Sequence, residues 1–261
     1  MNQIDISIII VSWNVKDLLR NCLSSIYENK GEVKVEIIVV DNISRDNSAQ
    51  MIREEFPDVI LIANEFNAGF GKANNQGLMQ AHGRYLLLLN PDTIILPGNF
   101  ESALKSIEQN SKIGILGCKT LNPDRSLQPS VRKFPTFWPI FFIFVKIAKI
   151  FPHLKALNDY FAVDFDYELA QPVDQVAGSY MLVRRELIDQ IGLFDENFFI
   201  WFEEVDLCQR TFSAGWEVYY DPIPEVIHYG GQSFKQEMTF RKQKIFFQSA
   251  IYYFKKHGFF K

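Results

Sequence analysis

Two polar stretches in the first half of the chain come directly after apolar runs. Asn90-Pro91-Asp92 follows four consecutive leucines, and Asp41 follows a β-branched run. Such short apolar runs are typical of strands buried on both faces of a parallel sheet. In open α/β sheets, ligands bind beyond the carboxyl ends of the strands. Carboxylates there suit a hard divalent cation, and a cation suits a diphosphate. A turn without function is the alternative interpretation of the tripeptide.

A second acidic group occurs late in the chain, in Glu203-Glu204-Val205-Asp206, directly after the aromatic-rich residues 198–202. On a helix Glu203 and Asp206 share one face, and acids at a helix start also favour the helix dipole without any catalytic role. Beside apolar rings, however, a carboxylate is desolvated, its pKa rises, and it becomes usable as a general base. Glu203, Glu204 and Asp206 are therefore three candidates for one base.

Residues 67–77 form a glycine-rich entry into a predicted helix. Gly69-x-Gly71 is present, but Asn74 occupies the third glycine position, so the G-x-G-x-x-G dinucleotide fingerprint fails. The sequence G-x-x-x-x-G-K-[ST] is absent from the chain, which excludes a P-loop. The glycines could still let the backbone approach a nucleotide, with helix amides facing phosphate. A tight loop beside a packed helix is the alternative.

Two further features interrupt or end predicted strands in the second half. Gly178-Ser179 breaks the strand-like residues 175–183, and glycine in a strand marks either a close ligand approach or a bulge. His228 stands at a predicted strand end, before a glycine pair. It is a candidate ligand for a metal or phosphate, and a structural histidine is the alternative.

The elements that must position these residues alternate regularly. We predict strands at 7–11, 36–40, 59–62, 86–89 and 113–116, with a helix after each of the first four. Asn14 is the expected N-cap of the first helix. This alternation predicts βαβ units in an α/β fold, with a mostly parallel sheet sandwiched by helices.

Composition limits the class of protein. The chain has 261 residues, enough for one large domain or two small ones, and 48% of them are hydrophobic, which argues against disorder. A net charge of −4 argues against a general nucleic-acid binder. The three cysteines lie far apart, which fits a reducing compartment and no zinc site. Without a signal peptide or an apolar run of about 18 residues, we expect a cytoplasmic protein.

Two segments could meet a membrane surface. Residues 136–151 form the most hydrophobic window, interrupted by Pro139, Lys146 and Lys149. The tail at 240–261 is basic and aromatic, with no acidic residue. Both could lie at an anionic interface, with lysines extending towards the headgroups. Packing on the domain or on another subunit is the alternative for each.

Seven stretches together carry a family resemblance. They are IIIVSWN (8–14), VVDN (39–42), NAGFGKANNQG (67–77), LLLLNPDT (86–93), AGSYMLVRRE (177–186), FFIWFEEVDLCQR (198–210) and IHYGGQS (227–233). In this order and spacing they resemble an inverting glycosyltransferase of the GT-A fold. The likeness is to family 2 and, within it, to the bacterial rhamnosyltransferase-like enzymes, and it covers nearly the whole chain.

The resemblance implies a nucleoside-diphosphate sugar as donor. Asp41 matches the carboxylate that reads the nucleotide base, and Asn90 takes the first position of the family's DxD motif. The resemblance places eight residues at the donor: Ser12, Trp13, Asn14, Asp41, Asn67, Gly69, Asn74 and Asn90.

The resemblance also implies a metal and a base. Asp92 matches the last residue of the DxD motif, which holds Mg²⁺ or Mn²⁺ on the diphosphate, and His228 is similar to a late metal or phosphate contact in some relatives. Glu203-Glu204 matches the family's Glu-Asp pair, whose second residue is the usual base. Two departures are visible, since Asn90 replaces a carboxylate and Glu204 replaces an aspartate.

On the acceptor side we expect Gly178, Ser179 and Trp201, with the aromatic neighbours of Trp201 as an apolar wall. The expected function is transfer of a sugar, with rhamnose favoured by subgroup, to a glycan or polyprenyl-linked acceptor in bacterial surface polysaccharide synthesis. We expect a nucleotide-sugar-binding half at 1–120, an acceptor-binding and catalytic half at 121–235, and a basic aromatic helix at 236–261.

Two other functions remain open. A sugar nucleotidyltransferase uses a related sheet, but it would normally carry a glycine-rich basic loop after the first strand, which residues 12–16 match poorly. A non-catalytic nucleotide-sugar-binding subunit would explain the missing carboxylate at Asn90.

Overall fold

The computed structural model describes residues 4–230 and 239–258. The strands are β1 (Ile6–Ser12), β2 (Val35–Asp41), β3 (Ile60–Ala63), β4 (Tyr85–Leu89), β5 (Thr93–Ile95), β6 (Ile113–Leu121), β7 (Val131–Arg132), β8 (Gln171–Val173), β9 (Gln175–Val176), β10 (Tyr180–Arg184) and β11 (Glu217–His228). Residues 231–233 of the last predicted motif, and the boundary expected at 235–236, lie outside the described residues.

The helices alternate with these strands in the first half, as predicted. They are α1 (Lys16–Asn29), α2 (Ser48–Glu55), α3 (Phe70–Gln80), α4 (Asn99–Gln109), α5 (Phe137–Phe144), α6 (Lys155–Tyr160), α7 (Arg185–Ile191), α8 (Glu203–Ser213) and α9 (Thr239–His257). No helix within the described residues combines the length and apolarity that crossing a membrane requires.

The central sheet joins strands from both halves of the chain. Its order is β3-β2-β1-β4-β10-β6-β11-β5, and β8 also pairs with β11. The first four strands are mutually parallel, and β11 runs parallel to β6. The predicted α/β fold with a mostly parallel sheet and flanking helices is confirmed. The antiparallel insertion of β10 between β4 and β6 is a feature that simple alternation did not predict.

The four consecutive leucines of β4 are buried on both faces of this sheet. Leu87 and Leu89 pack into the cluster shared with α1 and α4, whereas Leu86 and Leu88 pack into the cluster shared with α3, α7 and α8. Successive strand side chains point to opposite faces, so a strand with helices on both sides needs an unbroken apolar run. Each leucine burial contributes about 1.5–3 kcal/mol, which holds the polar residues after β4 in a fixed place.

One local expectation needs correction, and one predicted segment is divided. Helix α1 begins at Lys16, and Asn14 instead has a left-handed backbone (φ +53) and donates its backbone amide to Ser44 Oγ. The apolar window 136–151 is not one helix, because α5 ends at Phe144 and a 3₁₀ turn follows at Ile147–Lys149. Lys146 separates them with a φ of +63, a conformation that a continuing α-helix does not allow.

Helix α9 closes a third core over the loop that precedes α8. Tyr253 and Phe254 pack there with Phe198, Phe202 and Val205. The Ser249 hydroxyl also donates to the carbonyl of Ile200 at 3.0 Å. The C-terminal helix therefore supports the segment that leads into the acidic residues.

Candidate functional site

A cavity of about 510 Å³ opens at the carboxyl ends of β1, β2 and β4. Eleven of the sequence-predicted site residues line it: Trp13, Asn67, Gly69, Asn90, Asp92, Gly178, Ser179, Trp201, Glu203, Glu204 and His228. The sheet thus brings the candidates for metal, donor, acceptor and base to one place, as expected for an open α/β sheet.

Asp92 and His228 meet because β5 and β11 are antiparallel neighbours. Thr93 lies opposite His228 in that ladder, and the Tyr229 amide donates to the Asp92 carbonyl at 3.0 Å. His228 Nε2 lies 3.2 Å from Asp92 Oδ1 and 3.4 Å from Asn90 Nδ2. The Asp92 side chain is 6% exposed and the His228 side chain 13% exposed, so both are largely removed from solvent.

Gln128 determines which nitrogen of His228 carries the proton. Its Nε2 donates to Asn122 Oδ1 at 2.8 Å and to the His228 carbonyl at 3.2 Å. Gln128 Oε1 must therefore accept from His228 Nδ1, 2.7 Å away. In neutral His228 the lone pair of Nε2 then points towards the region of Asp92, the arrangement usual for a metal-ligating histidine.

These side chains fit a divalent cation that is shared with a substrate. In the part of the chain that the structure describes, no group of three His, Cys, Asp or Glu side chains could hold a metal ion alone. Mg²⁺ sites that act on phosphates commonly use only one or two protein ligands, with phosphate oxygens and water completing the shell. Asp92 and His228 Nε2 provide such a partial set of ligands.

Glu203 and Glu204 begin α8 and face the same cavity. They follow Trp201 and Phe202, whose φ values of +66 and +71 place two large L-residues in the left-handed region. Such strain costs on the order of 1–3 kcal/mol per residue and is concentrated at functional sites. Gly178 lies beside Glu204, since a Cβ at Gly178 would stand 3.6 Å from the Glu204 Cβ.

Glu203 is buried and Glu204 is half-buried, and each has one buried carboxyl oxygen that lacks a hydrogen-bond partner among the described residues. Burial, followed by the neighbouring Glu204, raises the pKa of Glu203 well above its ordinary value. Burial also raises the pKa of Glu204, while the positive charge of Arg132 opposes that rise. Because Arg132 favours the ionised form of Glu204, Glu204 is the better candidate for the carboxylate that accepts a proton.

The ends of β1 and β2 hold further residues that were predicted to bind the donor. Ser12 and Asp41 are partners in the parallel ladder, and each has a buried oxygen without a hydrogen-bond partner among the described residues. The second Asp41 oxygen accepts the Ser44 amide at 3.0 Å. Asn14 accepts the Arg45 amide at 2.7 Å, so the loops after β1 and β2 are joined.

Five predicted site residues do not line the cavity: Ser12, Asn14, Asp41, Asn74 and Asp206. The first three lie in or beside the strand ends just described. Asn74 donates to the Phe70 carbonyl within its own helix at 3.0 Å. Asp206 is fully buried outside the cavity lining, where it pairs with Arg210, Lys256 and His257 at 2.7–2.8 Å. Its geometry is that of a structural anchor.

Several polar residues of the cavity wall were not predicted: Asn42, Gln128, Ser130, Arg132 and Gln175. A usable signal was present, because Gln128, Ser130 and Arg132 alternate with a period of two and so share one face of an extended segment. The signal was not used because the prolines around this segment favour an irregular loop and the alternation is too short to indicate a strand.

Comparisons with known sequences identify relatives of this chain. A family model described as glycosyl transferase family 2 matches residues 7–192. The chain is 30% identical over 234 residues to rhamnosyltransferase WbbL of Escherichia coli, covering 85% of this chain and 82% of the relative. It is 28% identical over 225 residues to N-acetylglucosaminyl-diphospho-decaprenol L-rhamnosyltransferase of Mycobacterium tuberculosis, covering 77% of this chain and 69% of the relative.

Solved structures support the fold. A mannosyltransferase from Pyrobaculum calidifontis, in complex with GDP-Man and Mn²⁺, superposes with a TM-score of 0.65 at 18% identity, covering 96% of this chain and 65% of that one. GalNAc-T7 with UDP, GalNAc and Mn²⁺ gives a TM-score of 0.64 at 17% identity, covering 87% of this chain and 44% of the solved chain. The chain spans less than two thirds of either solved chain. The match to the family model covers most of the chain, which therefore belongs to glycosyl transferase family 2 and is a glycosyltransferase of the GT-A fold.

Proposed function

We propose that the cavity transfers a hexosyl group, with rhamnose as the favoured sugar, from a nucleoside-diphosphate donor to a hydroxyl group of a glycan or lipid-linked glycan, with inversion. The proposed setting is bacterial surface polysaccharide synthesis. The observation that carries this proposal is the placement of two groups in one cavity: Asp92 with His228, and the buried pair of Glu203 and Glu204.

On the donor side, Asp92 and His228 Nε2 are the residues that would hold Mg²⁺ or Mn²⁺. Such a cation, when bound, offsets the negative charge of the leaving diphosphate. The unpartnered oxygens of Ser12 and Asp41 provide hydrogen-bond acceptors for the nucleoside. A buried acceptor without a partner carries a cost that a donor group of a ligand removes.

On the acceptor side, Glu204 takes the proton from the attacking hydroxyl group. The hydroxyl oxygen forms a bond to the anomeric carbon while the bond from that carbon to the diphosphate oxygen breaks, and the diphosphate leaves with the electron pair. Attack opposite to the leaving group inverts the anomeric carbon. The raised pKa of Glu204 suits this role, because a base with a pKa closer to the working pH removes a proton more effectively.

The printed functions of two relatives support the choice of substrates. Both are rhamnosyltransferases, and one has a decaprenyl diphosphate in the name of its acceptor. A membrane-embedded acceptor of that kind would require the enzyme to approach a lipid surface, and we include peripheral membrane contact in the proposal.

The surface beside α5 has the composition that such contact needs. We define the aromatic face by its exposed apolar side chains: Trp138, Phe141, Phe144, Val145, Ile150, Phe151 and Phe247. Phe144 stacks on Phe247 at 4.8 Å, so α5 and α9 contribute to one surface. Lys146, Lys149 and Lys244 are exposed beside it, and residues 133–158 contain no acidic residue. Interfacial rings with flanking lysines suit an anionic bilayer.

The test is nucleoside-diphosphate release from a panel of nucleotide sugars, with Mn²⁺, Mg²⁺ or EDTA, in the presence of a diphosphate-lipid-linked sugar acceptor. Release from one donor, dependent on the acceptor and abolished by EDTA, is the expected result. Donor affinity without any transfer across the acceptor panel would contradict the proposal and favour a binding subunit.

A further inference from the structure

Arg132 lies in the cavity wall and has no role in the mechanism above. It belongs to β7, where it pairs with Gln175 of β9, and it shares a face with Gln128 and Ser130. Among the described residues that line the cavity, it is the single lysine or arginine. The lining also includes three carboxylates, Asp92, Glu203 and Glu204. Arg132 therefore places a positive charge, which can attract an anion, in a wall that otherwise carries these negative charges.

The guanidinium of Arg132 is positioned by aromatic rings. Its Cζ lies 5.5 Å from the centre of the Phe161 ring and 5.9 Å from that of Tyr160. Nearby lysines are neutralised by acids, as Lys119 pairs with Glu168 at 2.9 Å and Lys133 with Asp174 at 3.7 Å. Among the residues that the structure describes, Arg132 forms no ion pair with a carboxylate. A guanidinium stacked on rings and lacking a carboxylate is well suited to bind phosphate.

Arg132 links the cavity that contains Glu204 to the buried cluster on which α5 packs. It is close enough to Glu204 for its charge to lower the pKa of that carboxyl group. On the other side, its ring partner Tyr160 packs in the same cluster as Ile140 of α5. An acceptor whose hydroxyl group reaches Glu204 would therefore place its next groups at Arg132 and then at the aromatic face.

We propose that Arg132 binds the diphosphate of the acceptor, so that the acceptor class is a sugar joined through a diphosphate to a hydrocarbon chain. This inference rests on the proposed function, since it places the acceptor hydroxyl group at Glu204. The guanidinium binds the acceptor diphosphate, and the hydrocarbon chain leaves along the aromatic face. The donor diphosphate has its own partners, Asp92 and His228, on the central sheet, whereas Arg132 belongs to the separate sheet of β7 and β9.

The test uses two acceptors that differ only in the diphosphate: a decyl N-acetylglucosaminyl diphosphate and a decyl N-acetylglucosaminide. We would compare wild type, Arg132→Gln and the control Lys133→Gln, whose side chain is 60% exposed and absent from the cavity wall. Affinity for each acceptor is measured by calorimetry, and transfer is measured on the plateau of the pH profile, where Glu204 is ionised in every variant.

For Arg132→Gln we expect affinity for the diphosphate acceptor to fall about 10- to 100-fold, as the loss of a charge-assisted hydrogen bond implies, and affinity for the neutral acceptor to change less than about threefold. Lys133→Gln should leave the affinities for both acceptors unchanged. Equal losses for both acceptors would overturn the inference, and so would a matching loss of nucleoside-diphosphate affinity, which would assign Arg132 to the donor.

The binding measurement separates this inference from the proposed function. If wild type transfers no sugar but binds the diphosphate acceptor in an Arg132-dependent manner, the inference stands and the proposed reaction fails. If transfer is intact and Arg132→Gln binds and turns over both acceptors normally, the proposed reaction stands and the inference fails.

Discussion

The backbone amide of Phe70 donates a hydrogen bond to the carbonyl of Phe199 at 2.9 Å. This bond joins the start of α3, on the donor side, to the segment that leads into Glu203 on the acceptor side. Gly69 makes the approach possible, because a Cβ at this position would stand 2.5 Å from the Phe199 oxygen. The two halves of the site are therefore held together by main-chain contact at a glycine.

Gly69→Ala should disrupt this contact. Gly69 has φ +84 and ψ 177, a backbone region that is almost restricted to glycine, and the added methyl group would also clash with the Phe199 carbonyl. The control is Gly98→Ala, which has a φ of +77 but nothing within 4 Å of the added Cβ. We expect Gly98→Ala to cost about 1–2 kcal/mol of the free energy of unfolding and Gly69→Ala at least about 2 kcal/mol more.

Urea unfolding and nucleoside-diphosphate titration measure both effects. Gly69→Ala should also weaken nucleotide binding, whereas Gly98→Ala should not, because Gly98 lies outside the cavity. Equal losses of stability in the two variants would show that the close approach of Phe199 has no energetic importance.

The identity of the general base gives a second prediction. Burial and the neighbouring Glu204 favour the protonated form of Glu203, which glutamine imitates closely, whereas the positive charge of Arg132 favours the ionised form of Glu204. We expect Glu203→Gln to keep kcat within about tenfold of wild type, and Glu204→Gln to lower kcat by about 10²–10⁴-fold, the usual contribution of a general base. The measurement is steady-state transfer with saturating donor and acceptor. The reverse ranking would assign the base to Glu203.

Much of this site was predictable because its residues lie at strand ends. The leucine run of β4 fixes the position of Asp92, and the aromatic residues before α8 indicated desolvated carboxylates, both of which are local sequence patterns. The partner of Asp92 was harder to predict, since 135 residues separate Asp92 from His228 along the chain and their contact depends on the pairing of β5 with β11. Nothing local encodes that pairing.

Asp206 shows the limit of helical spacing as a predictor. Its i,i+3 relation to Glu203 predicted that the two carboxylates share one face of a helix, but Glu203 lines the cavity and Asp206 does not, and the sequence did not show that α9 packs against Asp206. Lys256 and His257 approach Asp206 from a helix about 50 residues later. Arg132 was missed for a related reason, because β7 has only two residues and pairs outside the main sheet.

The buried acidic pair also predicts a pH dependence of stability. Unfolded glutamate ionises near pH 4.3, whereas folded Glu203 keeps its proton to higher pH because burial and Glu204 raise its pKa. The folded state then binds more protons than the unfolded state, so the free energy of unfolding falls as pH rises above about 4.3. Glu203→Gln removes this dependence.

We therefore expect Glu203→Gln to unfold at a higher temperature than wild type at pH 7, with a difference that shrinks towards pH 4. Differential scanning calorimetry of the two proteins across this range is the measurement, and the difference between them cancels the titration of groups that do not interact with Glu203. A constant difference in Tm would mean that the pKa of Glu203 is not raised on folding.

Asp206 is expected to stabilise the protein without taking part in the reaction. Its carboxylate is fully buried among Arg210, Lys256 and His257, and removing one partner of a buried ion pair typically costs about 3–5 kcal/mol. Asp206→Asn should therefore lower Tm by several degrees while leaving kcat near the wild-type value at 15 °C. The matched control is Asp159→Asn, whose exposed pair with Lys155 should contribute no more than about 1 kcal/mol. A large loss of kcat in folded Asp206→Asn would return this residue to the reaction.

The aromatic face gives the last prediction, which concerns lipid binding. Trp138, Ile150 and Phe151 are 56%, 71% and 59% exposed, so replacing them with serine removes apolar surface at little cost to folding. Burial of one such side chain contributes about 1.5–3 kcal/mol. The partition coefficient of the triple variant onto lipid vesicles should therefore fall at least about tenfold. The vesicles contain about 30% anionic phospholipid, which gives them a negative surface potential. The control is Met79→Ser, equally exposed on α3 but away from this face. Wild-type partitioning should weaken with added salt, because the neighbouring lysines attract the anionic surface electrostatically. If the triple variant and the Met79 control sediment equally with the vesicles, the aromatic face does not bind lipid and instead contacts protein.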